Sequence, residues 1–266
     1  MLVENLVFVF VAGFVTALAT GLGAIPFFLV DDISDRWTVT LWGLASGIMV
    51  SASVFGLIRE GLNYGDEWLI VPGLLTGVLI VIGGHRVVDN TEIDPRQYEQ
   101  ADFSKLVLIL GVLTVHSFPE GVAVGVAFAE LGLDTGDAIS ILGFSAPVLG
   151  IFMTIAISIH NIPEGVAISI PLEAMGVSNP RKVWWAVFSS LPQPIGAAIA
   201  FAFVTLATAF LPFGFGFAAG AMIYLVATEF IPEAREAGAH LPGRGRRELA
   251  TGLAVGVVVM VPLAFV

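Results

Sequence analysis

The chain reads as an all-α integral membrane protein, an eight-helix transmembrane bundle with both termini extracellular. Three observations carry that expectation. First, 57% of the 266 residues are hydrophobic and only 12% are charged, where soluble domains carry about a quarter. The mean hydropathy is +0.93. Second, the charges fall in short clusters between apolar stretches near the ~20 residues that cross a bilayer as a helix. Third, the basic residues divide unevenly between alternate loops.

Hydropathy places the spans at 5–30, 38–58, 68–88, 104–130, 138–171, 181–211, 213–238 and 249–266. The fifth contains Pro147 and the sixth Pro192 and Pro194, so neither is expected to be straight. With the N-terminus outside, only Arg59 of the eleven Lys and Arg residues falls on the outer side. Basic residues favour the cytoplasmic side, and the asymmetry holds only for an even number of spans. The start of the chain does not read as a signal peptide: it lacks a basic region, carries Glu4, and its apolar run is too long. Residues 89–103 form the longest polar connection and read as a cytoplasmic loop. No soluble domain of any size is expected, so residues 1–266 make one transmembrane domain.

Composition also excludes chemistry. The absence of cysteine removes disulfides, thiolate metal sites and cysteine nucleophiles. A net charge of −11 with no basic stripe argues against nucleic acid as a partner. The lipid bilayer is the expected surrounding.

One internal repeat stands out. His116-Ser-Phe-Pro-Glu-Gly-Val-Ala123 matches His160-Asn-Ile-Pro-Glu-Gly-Val-Ala167. The offset is one helix plus one loop, so the copies run antiparallel. Inverted repeats that meet near mid-membrane are a common way to build a transport site. His116 and Glu120 are spaced i, i+4 on one helix face, as are His160 and Glu164. Two imidazoles and two carboxylates suit Zn²⁺, Fe²⁺, Mn²⁺ or similar divalent ions. Ionisable residues in a span cost at least ~2.5–3.5 kcal/mol on insertion scales, and a bound cation offsets that cost. Pro119 and Pro163 are expected to kink their helices and free the carbonyls of Val115 and Ile159.

Other polar residues are weaker candidates. Asn161 and its counterpart Ser117 flank the motif histidines. Gln193 lies between two prolines and reads either as a ligand or as a helix–helix hydrogen bond. Met49 offers a soft ligand, although methionine in an apolar helix more often packs. Glu229 reads as intramembrane, on an exit path or at a proton site. Glu233, four residues on, lies nearer the inner boundary. His85 beside Arg86 reads as interfacial, and His240 as a solvated loop residue.

At these residues the chain resembles the ZIP family of metal transporters. The two His-x-x-Pro-Glu-Gly motifs carry the resemblance. Leu191-Pro-Gln-Pro-Ile-Gly-Ala197 and Gly220-Ala-Met-Ile-Tyr-Leu-Val-Ala-Thr-Glu-Phe-Ile-Pro-Glu233 agree with it. The resemblance covers nearly the whole chain and implies import of Zn²⁺ or a related divalent metal across the plasma membrane by alternating access. It implies a binuclear site and no cofactor. One metal would be held by His116, Glu120, His160 and Glu164 with Met49. The second would share Glu120 and Glu164 and add Asn161 and Gln193. Family members often have Glu where this chain has Gln193 and Asn where it has Ser117, so the second position is expected to be weaker. The 89–103 loop lacks the histidines common in related loops, leaving carboxylates such as Asp89, Glu92 and Asp94 for any metal sensing. A homodimer is compatible with this reading. Rival readings are an intramembrane metalloenzyme and a non-transporting metal receptor. Neither motif has the His-Glu-x-x-His order of the former.

Overall fold

A computed structural model describes residues 2–30, 33–64, 66–89, 116–131, 138–141, 143–174 and 176–262. Of the sequence-predicted loop 89–103, Asp89 ends a helix, while residues 90–103, the start of the fourth span (104–115) and the Val115 carbonyl lie outside the described residues.

Helix α1 is Leu2–Leu22, followed by a short 3₁₀ turn, Ile25–Phe28. Helix α2 starts at Asp35–Ser51 and continues through a π-helical stretch, Ala52–Ile58, into Arg59–Asn63. Helix α3 is Ile70–Asp89. Helix α4 is the helical segment 116–127, and α5 is Val148–Ala174. Helices α6 (Asn179–Ser189) and α7 (Pro192–Leu206) are two halves of one membrane-length segment. Helix α8 runs Leu211–Leu225, then a π turn, Val226–Phe230, then Ile231–Ala237. Helix α9 is Arg246–Val259. Among the described residues, six helical segments are long and apolar enough to cross a membrane. Helices α4 and α9 overlap the expected fourth and eighth spans, parts of which (104–115 and 263–266) lie outside the described residues.

Proline decides two boundaries. The predicted span 138–171 is shorter than expected at its start. Ala138–Ile141 and Phe144–Pro147 pair as an antiparallel hairpin, Ala138 opposite Pro147, and Gly143 supplies a positive φ of 85° for the turn. The helix begins only after Pro147, so that proline ends a strand instead of bending a span. In the sixth span the break between α6 and α7 falls at Ser190–Leu191, just before Pro192, where no N–H is available to continue the ladder. By contrast, α5 runs unbroken through Pro163.

Small residues set the packing. Gly43 and Gly47 of α2 abut the backbone carbonyls of Leu249 and Leu253, while Gly252 and Gly256 of α9 abut those of Thr40 and Leu44. Gly73 and Gly77 of α3 meet Phe213 and Phe217 of α8, and Gly216 and Gly220 meet Ile70 and Leu74. Each pair is a reciprocal Gly-x-x-x-Gly contact that lets two backbones touch. The residue order shows that α2 runs parallel to α9 and α3 parallel to α8. Arg36 and Glu248, 3.9 Å apart, mark the matching starts of α2 and α9. These four helices form one group.

Helices α1, α4, α5, α6 and α7 form the other. Gly13 of α1 lies on Pro194, and Thr20 hydrogen-bonds Ser190 at 2.7 Å, so α1 and α7 are antiparallel. Gly121 and Gly125 press on the carbonyls of Gln193 and Ala197, making α4 parallel to α7. Asn161 donates to the Thr16 carbonyl at 2.7 Å, and Gly165 abuts that of Thr20, so α5 runs with α1. It follows that α4 and α5 are antiparallel. Lys182, 1% exposed, pairs with Glu173 and lies 5.4 Å from the centroid of the Phe27 ring. That contact ties the end of α5 to the start of α6 and to the turn after α1.

The groups meet across α2 and α5. Met49, Ala45 and Ile48 of α2 join Met153, Ala156 and Ile157 of α5 in one buried cluster. The outer faces carry exposed Val, Leu, Ile and Phe, as in Val7, Phe10, Leu75 and Leu79, which suits acyl chains. Trp37, Trp68 and Trp184 are exposed near helix starts, where amphipathic rings suit the interface. Between spans, the Tyr64 hydroxyl donates to Glu130 at 2.7 Å. Burial, then the Glu130 carboxylate, push that phenol above its usual range, so it remains a donor.

A bulky side chain at Gly77 must separate α3 from α8, whereas a Cβ at Gly83 of the same helix meets nothing within 4 Å. Gly77→Leu is expected to destabilise the folded protein by about 1–3 kcal/mol, the usual cost of overpacking, and Gly83→Leu by far less. Thermal unfolding of the two variants in detergent checks the difference.

Candidate metal centre

The motif side chains project from α4 and α5 into the interior between the two helix groups. Glu120 is 2% exposed and His160 fully buried. His160 Nε2 and Glu120 Oε1 are 3.0 Å apart. Glu164, one turn beyond His160, completes a group whose ligand atoms all lie within 4.8 Å of one another. Glu164 Oε2 and His160 Nδ1 are buried without a hydrogen-bond partner. Such orphaned acceptors are costly unless something else satisfies them. The Phe230 ring stacks on His160 at a centroid distance of 5.2 Å and an interplanar angle of 16°, walling one side and fixing the imidazole.

His116 is not part of that group. Its Nε2 turns to one carboxylate oxygen of Glu229, and His85 Nε2 meets the other. The ligand atoms of His85, His116 and Glu229 form a second group within 4.8 Å. The two imidazole rings are 5.8 Å apart by centroid. All three side chains keep about a quarter of their surface accessible, at 24–27%, unlike Glu120 and His160. The sequence-based grouping of His116, Glu120, His160 and Glu164 is therefore split, because the Glu229 carboxylate, shared with His85, draws the His116 ring to its own group. His116 and Glu120 still share one face of α4, so the two groups lie in line.

Glu229 owes its aim to local backbone geometry. It sits in the π turn Val226–Phe230, three residues before Pro232, whose missing N–H is accommodated by such a widened turn. His85, expected at the interface, is the residue that sequence reasoning missed. A signal existed: Gly73, Gly77, Val81 and His85 recur every four residues, and the first three lie buried or against α8. Extending that stripe by one turn puts His85 on the same face.

The remaining candidates are placed as follows. Asn161 and Gln193 are fully buried and hydrogen-bond each other, Asn161 Nδ2 donating to Gln193 Oε1 at 3.0 Å. Gln193 Nε2 donates to Glu120 Oε2 at 2.5 Å. Ser117 is buried, but its hydroxyl donates to the Ser189 carbonyl at 3.0 Å and serves helix packing. Met49 is fully buried in the α2–α5 core, on the helix that faces the α5 motif. His240 is exposed, as expected, and Glu233 half-buried.

Comparison with known proteins shows the family. The family profile described as "ZIP Zinc transporter" matches residues 85–264, a stretch that starts at His85. The chain is 41% identical over 219 residues to a putative zinc transporter of Arabidopsis thaliana, covering 82% of this chain and 33% of that protein. It is 30% identical over 264 residues to the zinc transporter GufA of Myxococcus xanthus, 95% of this chain and 96% of that protein. It is 33% identical over 232 residues to the zinc transporter ZIPB of Bordetella bronchiseptica, 83% of this chain and 70% of that protein. The chain thus spans a third of the plant protein and nearly all of the Myxococcus one. The paired motifs, the multi-pass helical architecture and these matches together make the chain a member of the ZIP zinc transporter family.

Proposed function

We propose that this protein carries Zn²⁺, or a related divalent ion such as Fe²⁺, Mn²⁺, Co²⁺ or Cd²⁺, across the plasma membrane toward the cytoplasm. The observation that supports this most directly is the pair of His/Glu groups in line through the bundle, one deeply buried and one partly accessible. Glu120, His160 and Glu164 hold the ion out of water. His85, His116 and Glu229 receive it on the more accessible side. The borderline-to-hard ligand set fits these ions, and relatives named zinc transporters favour zinc among them.

Eight spans with both termini outside fit the helix directions. Parallel α2 and α9, and parallel α3 and α8, each require an odd number of crossings between them. Five crossings for the first pair and three for the second satisfy both. Alternating access is supported by the division into two packed groups that meet at the site. Conduction requires binding strong enough to strip water yet weak enough to release. A series of three-ligand sites meets that requirement better than one closed cage.

Uptake of ⁶⁵Zn into proteoliposomes tests the proposal. Glu120→Ala and Glu164→Ala are each expected to lower flux by about tenfold or more, on the scale of disturbing a metal's ligand environment. Normal flux in both variants would overturn the site. A wild-type protein that binds zinc and moves none would favour the receptor or metalloenzyme reading.

The second group makes a separate prediction. His85→Ala is expected to reduce zinc flux by about tenfold while leaving zinc bound at the deeper group. The measurement is flux together with metal content of the purified variant. Unchanged flux in His85→Ala would remove the second group from the pathway.

A further inference from the structure

The amide of Gln193 is held in one orientation by everything around it. Its Oε1 accepts from Asn161 Nδ2 at 3.0 Å and from Thr16 Oγ1 at 2.6 Å, whose single proton it shares with the Gly13 carbonyl at 2.7 Å. Its Nε2 faces the other way, donating to Glu120 Oε2 at 2.5 Å and lying 3.4 Å from Asn161 Oδ1. The same Asn161 Nδ2 donates to the Thr16 carbonyl at 2.7 Å. Thr16, Asn161 and Gln193 are fully buried, and Glu120 is 2% exposed. Turning the Gln193 amide over would set two NH₂ groups against each other and an oxygen against a carboxylate. The hydrogen-bond inventory therefore assigns its nitrogen to the Glu120 side.

This arrangement has a consequence for ion number. A second cation beside Glu120 needs a place at that carboxylate clear of other positive charge, and further oxygens from its neighbours. Glu120 Oε2 instead faces an N–H, which carries positive charge toward any cation and cannot ligate one. The oxygen of Gln193 is engaged twice, and that of Asn161 faces the Gln193 amide. We propose that the deep centre accepts a single divalent ion, with Gln193 as the positioning residue that closes the adjoining place and steers Glu120 Oε1 toward His160. Thr16 of α1 is the residue that holds Gln193 in this pose. This rests on the reading of Glu120, His160 and Glu164 as the ion site.

Zinc content after equilibrium dialysis of the full-length chain in detergent tests the inference. The His85→Ala/Glu229→Ala background removes the other group. With Gln193 intact, about one equivalent is expected. Adding Gln193→Glu, which replaces the donor with a carboxylate, is expected to raise the content to about two. Two equivalents with Gln193 intact, or no rise on Gln193→Glu, overturn the inference and leave the ion site standing. No bound zinc overturns the ion site itself, and the inference with it. The count with Gln193 intact decides the matter even if the Gln193→Glu variant does not fold. In a wild-type background, Thr16→Val is expected to raise the KM for ⁶⁵Zn flux by about threefold to tenfold with kcat within about twofold, and Thr16→Ser to restore it. An unchanged KM in Thr16→Val removes Thr16 from this role.

Discussion

Carboxylates buried in a helical bundle are the constraint around which this molecule is arranged. Glu120 and Glu164 lie within 4.8 Å of each other and of His160 by their ligand atoms. Two unit charges within that separation repel by at least about 3.5 kcal/mol at an effective dielectric of about 20, and desolvation adds to the penalty. The protein returns part of it through the Gln193 N–H and the His160 imidazole. The unpartnered Glu164 Oε2 and His160 Nδ1 show where it does not. In the proposed reading a divalent cation removes the repulsion and takes up the free Glu164 oxygen. The transport substrate is thus the ingredient the interior lacks, and a site built this way has a reason both to fill and to empty.

The surrounding packing keeps the cluster narrow. In a bilayer no hydrophobic drive pulls helices together, so close backbone contact carries much of the association. The reciprocal glycine contacts of α2 with α9 and of α3 with α8 leave little freedom within that group. The α1, α5 and α7 contacts through Gly13, Thr16, Thr20 and Gly165 bind the other. The two groups meet through larger side chains, among them Met49, Met153 and Phe230. Methionine adapts its shape at little cost, which suits a surface that must repack.

Much of this was legible in the sequence because membrane insertion makes polar residues conspicuous. The repeated His-x-x-Pro-Glu-Gly pointed to α4 and α5, and Glu229 stood out as an acid inside an apolar run. What spacing could not supply was the partner of each ligand. His116 and Glu120 share a helix face, yet the turn between them sends one to Glu229 and the other to His160. His85 was hidden because a histidine next to an arginine at the end of a span resembles an interfacial residue. Only the glycine stripe beneath it says otherwise. The hairpin 138–147 escaped for a related reason: Ala-Ile-Ser-Ile and Phe-Ser-Ala-Pro are apolar enough to pass for membrane helix, and hydropathy does not register where Pro147 halts it.

The π turn at Val226–Phe230 also works as a phase shifter. Before it, α8 must present Gly216 and Gly220 to α3; after it, the same helix must present Glu229 to His85 and His116. An α-helix rotates by about 100° per residue, so one additional residue in a turn swings everything downstream to a new face. Deleting a single residue there would leave the composition of the span and its hydropathy almost unchanged. It would nevertheless rotate Glu229 away from His85 and His116 while the glycine contact above it stayed intact. The spacing between Gly220 and Glu229 is therefore as much a part of this His/Glu group as the carboxylate itself.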